Sequence, residues 1–490
     1  MNTIHDVIVV GSGAGGAAAA FRLVEAGQRV LLLEKGEPLS RDGSTLDIRK
    51  VVHDGAFLSR EPWFDGAGRR FVPEEHFNVG GKTKWYGAAL LRFAPAEFRE
   101  DRAGGYRGWP FPHEVLENYY DMAERLLGVR RIPAEPDLAK MLRTLSRRAP
   151  RWRAEPLPMA LDPRITEDLH EARHFDGFAS VRDLKHDAQL ALLDPIADAP
   201  NFNLRSGVEV TTLLADPRDA ARVVGVRTRD GQVFRARRVV LAAGALHSPR
   251  ILSRYLRQQR LDADIPSISA VGANLKLHLL TAMVSLGARR MTDTLRKTAF
   301  LTHEEFPHSS VQPLGFDAEL IATLMPSLLP RKIAHALAER AYGFFLQTED
   351  ASVPANLVAD VERAGITTRL MDYDESRSAA ALSEHRGFTR AFSRALLTTG
   401  RISFTRRIGI QGTAHACGTL VCGADAGSSV VDPNGRVHGL QGVYVADGSI
   451  LPRISRVNPS LTIYAWGLRV GDLIADAARR EAASAEMVTP

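Results

Sequence analysis

Cysteine is almost absent: the 490-residue chain carries two, Cys417 and Cys422. Two thiols cannot build a disulfide framework or supply all four ligands of a thiolate metal site. With four residues between them they read as free thiols of a reducing compartment. Long apolar runs are missing as well. Val7–Val10 and Val30–Leu33 stop far short of the roughly twenty residues a membrane-crossing helix needs, so no membrane span is expected. A strand-like run starts at Asp6 and leaves no space for a cationic signal peptide or twin-arginine leader, which makes the cytoplasm the expected location. Lysine is scarce, nine of the 63 basic residues. The net charge is +6, yet the arginines are scattered rather than striped and no recognition motif accompanies them. The bias reflects coding composition, and no nucleic-acid partner is expected. Repeats and low-complexity tracts are lacking. What remains, 45% apolar and 24% charged residues with 40 glycines, is the composition of a globular protein, long enough for one large core or two intergrown ones.

The opening carries the strongest local signal. Asp6–Val10 is a buried-strand run, Gly11-Ser-Gly13-Ala-Gly-Gly16 follows, Ala17–Glu25 reads as a helix, and Arg29–Leu33 ends in Glu34. This strand, glycine turn, helix and strand form a dinucleotide-binding unit. Gly11 permits the tight turn, Gly13 lets backbone approach a pyrophosphate, and Gly16 allows close helix-on-strand packing. The helix N-terminus offers free N–H groups to phosphates. Glu34, eighteen residues after Gly16, hydrogen-bonds ribose hydroxyls and disfavours a 2′-phosphate. Further on, Gly207–Leu214, Arg222–Thr228 and Gly231–Phe234 read as a three-stranded antiparallel excursion, and Arg238–Leu241 leads through Gly244 into a helix at Ser248. Such a return to the nucleotide sheet favours FAD over NAD. Residues 285–410 mix helix-like stretches (Pro330–Tyr342, Phe388–Leu397) with short strands (Ile366–Leu370) and carry no nucleotide signature.

The C-terminal eighty residues contain His415-Ala-Cys-Gly418-Thr419, then Ser429–Gly439 with Asp432, then Gly442-Val-Tyr-Val-Ala-Asp447-Gly448-Ser449, and Asn458-Pro459-Ser-Leu-Thr462. In order and spacing this succession resembles the C-terminal signature of the glucose-methanol-choline oxidoreductases. Val79–Gly87, Val271–His278 and the Gly244 region agree with the same family, so the likeness covers about half of the chain. It implies an α/β fold: a Rossmann-like, doubly wound FAD-binding domain with an inserted α+β substrate domain on an antiparallel sheet. The corresponding bounds are 1–110, 195–285 and 411–482 for the FAD domain, 111–194 and 286–410 for the substrate domain, and 483–490 for a flexible tail. The resemblance further implies FAD-dependent oxidation of a CH–OH group to an aldehyde or ketone, with His415 as base and Asn458 as its partner. Histidine titrates near neutral pH and can take and return a proton, whereas asparagine orients an oxygen without being a base. Contacts to FAD are implied at Gly11, Gly13, Ala14, Gly16, Glu34, Lys35, Gly80, Gly81, Thr83, Val210, Ala243, Gly244, Asp447, Gly448, Pro459 and Thr462.

Some members of the family link FAD to a histidine within the segment matching Gly80–Gly87. That segment has none here, so FAD is expected to be held noncovalently. Trp85 and Tyr86 stand open between flavin contact and core. His278 and His438 read as structural, and Cys417 and Cys422 as packing beside the site. No cluster has metal-ligand spacing. The compact covering segment resembles that of sugar-oxidising members, which implies a sugar, glycoside or aminosugar substrate. A lipophilic or sterol-like alcohol, or a non-redox lyase reaction on the same scaffold, are the alternatives. The electron acceptor is open among dioxygen, a quinone and a protein carrier.

Overall fold

The computed structural model describes residues 4–261, 266–325, 329–363 and 365–488. Its first sheet has a parallel centre in the order Phe202–Arg205, Val30–Leu33, His5–Val10, Val233–Leu241 and Val443–Val445. Val7–Val10 and Val30–Leu33 are buried on both faces, as strands of a parallel sheet covered by helices must be. Strand Val233–Leu241 is long enough to serve two pairings. Its second half joins the parallel centre, while its first half closes the antiparallel meander Val210–Asp216, Asp219–Thr228 and Val233–Arg235. The excursion expected from sequence is therefore present.

Helix Ala14–Glu25 and the terminal helix Ser460–Val488 pack against each other along small residues. A Cβ on Gly15 would overlap the Ala446 carbonyl, and one on Gly467 would overlap that of Gly15. The helices thus meet backbone to backbone at the level of the glycine turn.

The second sheet is antiparallel, in the order Ile402–Ile408, Leu279–Leu286, Ala341–Thr348, Ser309–Pro313, Ala299–His303 and Trp152–Pro156. Alternation divides its faces. Met283, Phe344 and Leu346 pack under helix Ala379–Thr398 through Phe388, Phe392 and Leu396, whereas Leu280, Phe345 and Gln347 face the first sheet across a cleft. A third, small sheet joins the hairpin Leu357–Arg363 and Ile366–Asp372 to Trp63–Asp65 and Arg70–Phe71.

The structure moves three of the expected bounds. Residues 279–285 belong to a strand of the second sheet, not to the nucleotide half. Much of 111–194 joins the core of the first sheet: helix Glu114–Leu126 buries Leu116, Tyr120 and Ala123 there, along with Leu157 and Met159. Only Pro136–Pro156 crosses to the second sheet. At the end of the chain the helix continues to Val488 through the stretch read as a flexible tail, because alanine, glutamate and arginine favour helix; residues 489 and 490 lie outside the described set.

Candidate active site

A cleft of about 470 Å³ runs between the two sheets. Its nucleotide end is built by the glycine turn. Gly11 has φ of +105°, and a side chain there would run into the Ala242 carbonyl. Gly13 caps helix Ala14–Glu25 with no side-chain hydrogen bond, and the space where its Cβ would stand is open. The first-turn N–H groups therefore meet the cleft as an anion site. Glu34, at the end of Val30–Leu33, accepts from Ser12 N (2.9 Å) and Ser12 Oγ (2.5 Å) on one oxygen and from Gly36 N (2.9 Å) on the other. Burial pushes its pKa up and these donors oppose the rise. Lys35 lines the cleft with its ammonium 2.6 Å from Glu61 and 3.5 Å from Glu209. Ala14, Gly81, Thr83, Val210, Ala243, Gly244, Gly448 and Pro459 are also in the lining.

Asp447 reaches the lining but aims its carboxylate inward. One oxygen accepts from Gly244 N (2.9 Å) and Ser248 Oγ (2.5 Å), the other from Ser449 N (2.8 Å) and Ser449 Oγ (2.5 Å). It ties the turn after Val233–Leu241 to the turn after Val443–Val445. Three expected contacts lie off the cleft. Gly16 is packed where a Cβ would overlap the Gly11 carbonyl, so its role is spacing. The Gly80 N–H is spent on Ser12 Oγ at 3.0 Å. The Thr462 hydroxyl faces the core and pairs with Tyr120 Oη at 2.8 Å. This fits a helix in which Pro459 and Ile463 line the cleft, since position 462 then points elsewhere on the 3.6-residue turn.

At the other end His415 and Asn458 meet, with His415 Nε2 3.4 Å from Asn458 Nδ2. His415 Nδ1 lies 2.8 Å from Nδ1 of His278, whose Nε2 is 2.7 Å from the Ser455 carbonyl. A carbonyl can only accept, so His278 carries its proton on Nε2 and its Nδ1 is an acceptor. His415 must then donate from Nδ1, which leaves its Nε2 lone pair open towards the cleft. Burial, followed by the coupling to His278 and the charges of Lys297 and Lys82, holds the His415 pKa well below the usual imidazole value, and burial lowers that of His278 to about 4. Both rings are neutral at neutral pH. Gln312 Nε2 donates to Asn458 Oδ1 at 2.5 Å, which turns the asparagine NH2 group towards His415.

The loop carrying Asn458 is clamped by two buried carboxylates. Glu349 accepts both Arg453 Nε (2.7 Å) and Arg453 Nη2 (2.6 Å), and also Ser455 N (3.3 Å). Glu97 accepts Ser455 Oγ (2.6 Å) and Arg456 N (3.0 Å). Burial would raise the Glu349 pKa, but Arg453 and His308 outweigh it and hold the group ionised. Ser455 sits at φ of +67°, a strained conformation for serine that these bonds maintain.

Sequence reading missed His278 as the partner of His415. It also missed Gln312, Gln347, Lys297 and Asp176, all in the lining. Only His278, inside the Val271–His278 block, carried a signal that could have marked it. His438 is structural as expected, with Nε2 3.1 Å from the Gly423 carbonyl. Cys417 and Cys422 are buried and unbridged, and burial pushes the Cys417 thiol up to about 12. Trp85 lines the cleft with its side chain largely buried, donates to Asn78 Oδ1 at 2.9 Å, and stacks on His76 at 4.6 Å. Among the described residues no metal-binding cluster is present and no helix is long and apolar enough to cross a membrane.

Comparison with known proteins agrees with this architecture. The FAD dependent oxidoreductase family matches residues 6–273, and the GMC oxidoreductase C-terminal family matches residues 358–467. The 6'''-hydroxyparomomycin C oxidase of Streptomyces lividus is 30% identical, over 96% of this chain and 91% of its own. The paromamine 6'-oxidase of Streptomyces fradiae is 29% identical, over 96% and 92%. In fold the chain is similar to the crystal structure of pyridoxine 4-oxidase from Mesorbium loti, with a TM-score of 0.66 at 18% identity over 96% of this chain and 98% of that one. A dinucleotide cradle at one end of the cleft, a histidine and an asparagine at the other, and relatives matched along nearly the whole length lead to one conclusion: the chain belongs to the GMC oxidoreductases, FAD-dependent enzymes that oxidise alcohols.

Proposed function

We propose that this enzyme oxidises a CH–OH group on a polyhydroxylated ring, an aminosugar-bearing glycoside, with His415 as the base, Asn458 as the orienting group and FAD bound noncovalently. The observation that carries the reading is the run of contacts from the Ser455 carbonyl through both nitrogens of His278 to His415 Nδ1, which leaves His415 Nε2 facing Asn458 in the cleft. FAD, when bound, supplies the acceptor for the carbinol hydride. Ala14 and Gly13 at the helix start would hold its pyrophosphate, Glu34 a ribose, and Val210 the adenine edge. The chain does the rest. Asn458 donates Nδ2–H to the substrate oxygen and holds it at His415 Nε2, which takes the hydroxyl proton. His278 Nδ1 accepts from the Nδ1–H of the resulting imidazolium and steadies its charge.

Substrate class follows from the lining. Gln312, Gln347, Lys297 and Asp176 bring polar groups to the reacting end, while Leu280, Phe316, Phe345 and Ile408 form an apolar wall. A sugar ring presents both kinds of surface, and the two aminoglycoside oxidases among the relatives support it over a sterol. Their names also support dioxygen as acceptor. Two unbridged cysteines support the cytoplasm as location.

The test is to mix the yellow enzyme anaerobically with paromamine, methyl glucoside, a simple alcohol and a sterol, then admit oxygen. Bleaching by the first two and fast recolouring are expected. Bleaching by the sterol alone sinks the substrate class, and turnover of a substrate without any bleaching leaves a lyase. Acid precipitation should release the flavin into solution. A yellow pellet would overturn noncovalent binding and direct attention to His76, which lines the cleft beside Trp85 and uses only Nδ1, on the Phe57 carbonyl at 3.0 Å.

A further inference from the structure

A buried ion pair in the cleft has no part in the chemistry above. Lys297 Nζ lies 2.9 Å from Asp176 Oδ1, and the two side chains are 6% and 8% exposed. The other carboxylate oxygen accepts Gly315 N at 2.9 Å. Asp176 is anchored by its neighbours: Lys185 donates to the carbonyls of Phe175 (2.7 Å), Phe178 and Tyr86 (2.8 Å). Across the pair stands Gly87, where any Cβ would overlap both Asp176 Oδ1 and Lys297 Nζ. The chain thus leaves out a side chain to let a charged pair face the cleft. An ammonium has three donors, and among the described residues Lys297 spends one, on Asp176. Burying a charge with donors unused is costly, so two N–H groups opening into a ligand cleft point to a ligand oxygen. The carboxylate retains acceptor capacity beside them.

We propose that Lys297 and Asp176 form a hydroxyl-recognition subsite, in which the ammonium donates a hydrogen bond to a ring hydroxyl of the substrate and the carboxylate accepts a hydrogen bond from that same hydroxyl. This rests on the polyol reading above and refines it: a neutral hydroxyl beside the pair can meet both charges, whereas a substrate ammonium beside Lys297 would meet like charge. The amino groups of an aminosugar therefore lie away from this pair. The pair lines the same cleft as His415 and Asn458. The subsite selects among alcohols by their neighbouring hydroxyls and leaves the proton transfer to His415.

The test measures binding in the full-length, FAD-loaded His415→Ala enzyme, which holds ligand without oxidising it, using the flavin difference spectrum or calorimetry. Paromamine and methyl glucoside are the hydroxylated probes, and cyclohexanemethanol is a ring carbinol without ring hydroxyls. Adding Lys297→Met should weaken the first two by roughly 10- to 100-fold, the range for hydrogen bonds to charged groups, and leave cyclohexanemethanol unchanged. Asp176→Asn, nearly isosteric, should give losses of the same sign. Should Lys297→Met fail to load FAD, Asp176→Asn with Lys297→Arg decides the matter. Equal weakening of all three probes indicates a merely structural pair and overturns the inference, as does undiminished binding of the sugars. Failure of both sugars to bind the enzyme with Lys297 and Asp176 intact overturns the polyol reading itself, and this inference with it.

Discussion

Replacing His278 with alanine isolates the contribution of the second histidine. The change removes the acceptor 2.8 Å from His415 Nδ1 and the donor 2.7 Å from the Ser455 carbonyl, in a place where His278 is 4% exposed. A buried donor left without a partner costs about 1–3 kcal/mol, and the bond at stake strengthens once His415 becomes an imidazolium. The neutral ring is also free to move its proton to Nε2, which removes the base. Converted at about 1.4 kcal/mol per tenfold, His278→Ala should slow flavin reduction roughly 10- to 100-fold at saturating substrate. Anaerobic stopped-flow of the flavin band at neutral pH reads that constant. His278→Gln, whose amide can both accept from His415 and donate to Ser455, should recover part of the rate. In a His415→Ala background the His278 change should have no further effect, since coupled residues are not additive. An unchanged reduction rate in His278→Ala, with FAD bound, would refute the tautomer reasoning.

Three more outcomes are expected. Arg453→Met leaves Glu349 buried at 0% exposure without its main partner and should cost about 3–5 kcal/mol in urea unfolding. Gly87→Ala forces the Lys297 and Asp176 side chains apart and should cost about 1–3 kcal/mol in the same assay; no loss would mean that the pair is loosely held. His385 is buried between Thr281 Oγ1 and Thr348 Oγ1, each at 2.8 Å, and burial lowers its pKa to about 3. The unfolded state then binds more protons between that value and 6.5, so the stability advantage of the wild type over His385→Gln should shrink by about 1.4 kcal/mol per pH unit below 6.5 and stay constant above it. Parallel pH dependences of the two proteins would contradict this.

Signals confined to one stretch of chain were readable. The glycine turn, its flanking strands and the meander at 207–234 depend on local period and turn chemistry, and all are found in the structure. The block from His415 to Asn458 supplies two side chains that meet in the cleft. Pairings across long separations were not readable. His278 and His415 are 137 residues apart, and Asp176 and Lys297 are 121 apart; no periodicity tells either member of its partner. Helix Glu114–Leu126 announces an apolar face but not the surface that will bury it, so the core it joins could not be read from sequence. The setting of Thr462 was unreadable for a finer reason. A position in a helix names a residue, and only the packed rotation of that helix decides whether it meets the ligand or the core.

The clamp on the loop 453–458 also bears on how ligands enter. Glu97 comes from the segment beside the first sheet and Glu349 directly follows strand Ala341–Thr348 of the second, and both grip the same short stretch of backbone. The loop therefore acts as a rivet through the two layers. A clamshell opening would have to pull two charged groups out of the interior at once. A ligand that enters without breaking this rivet has to pass through the standing mouth of the cleft.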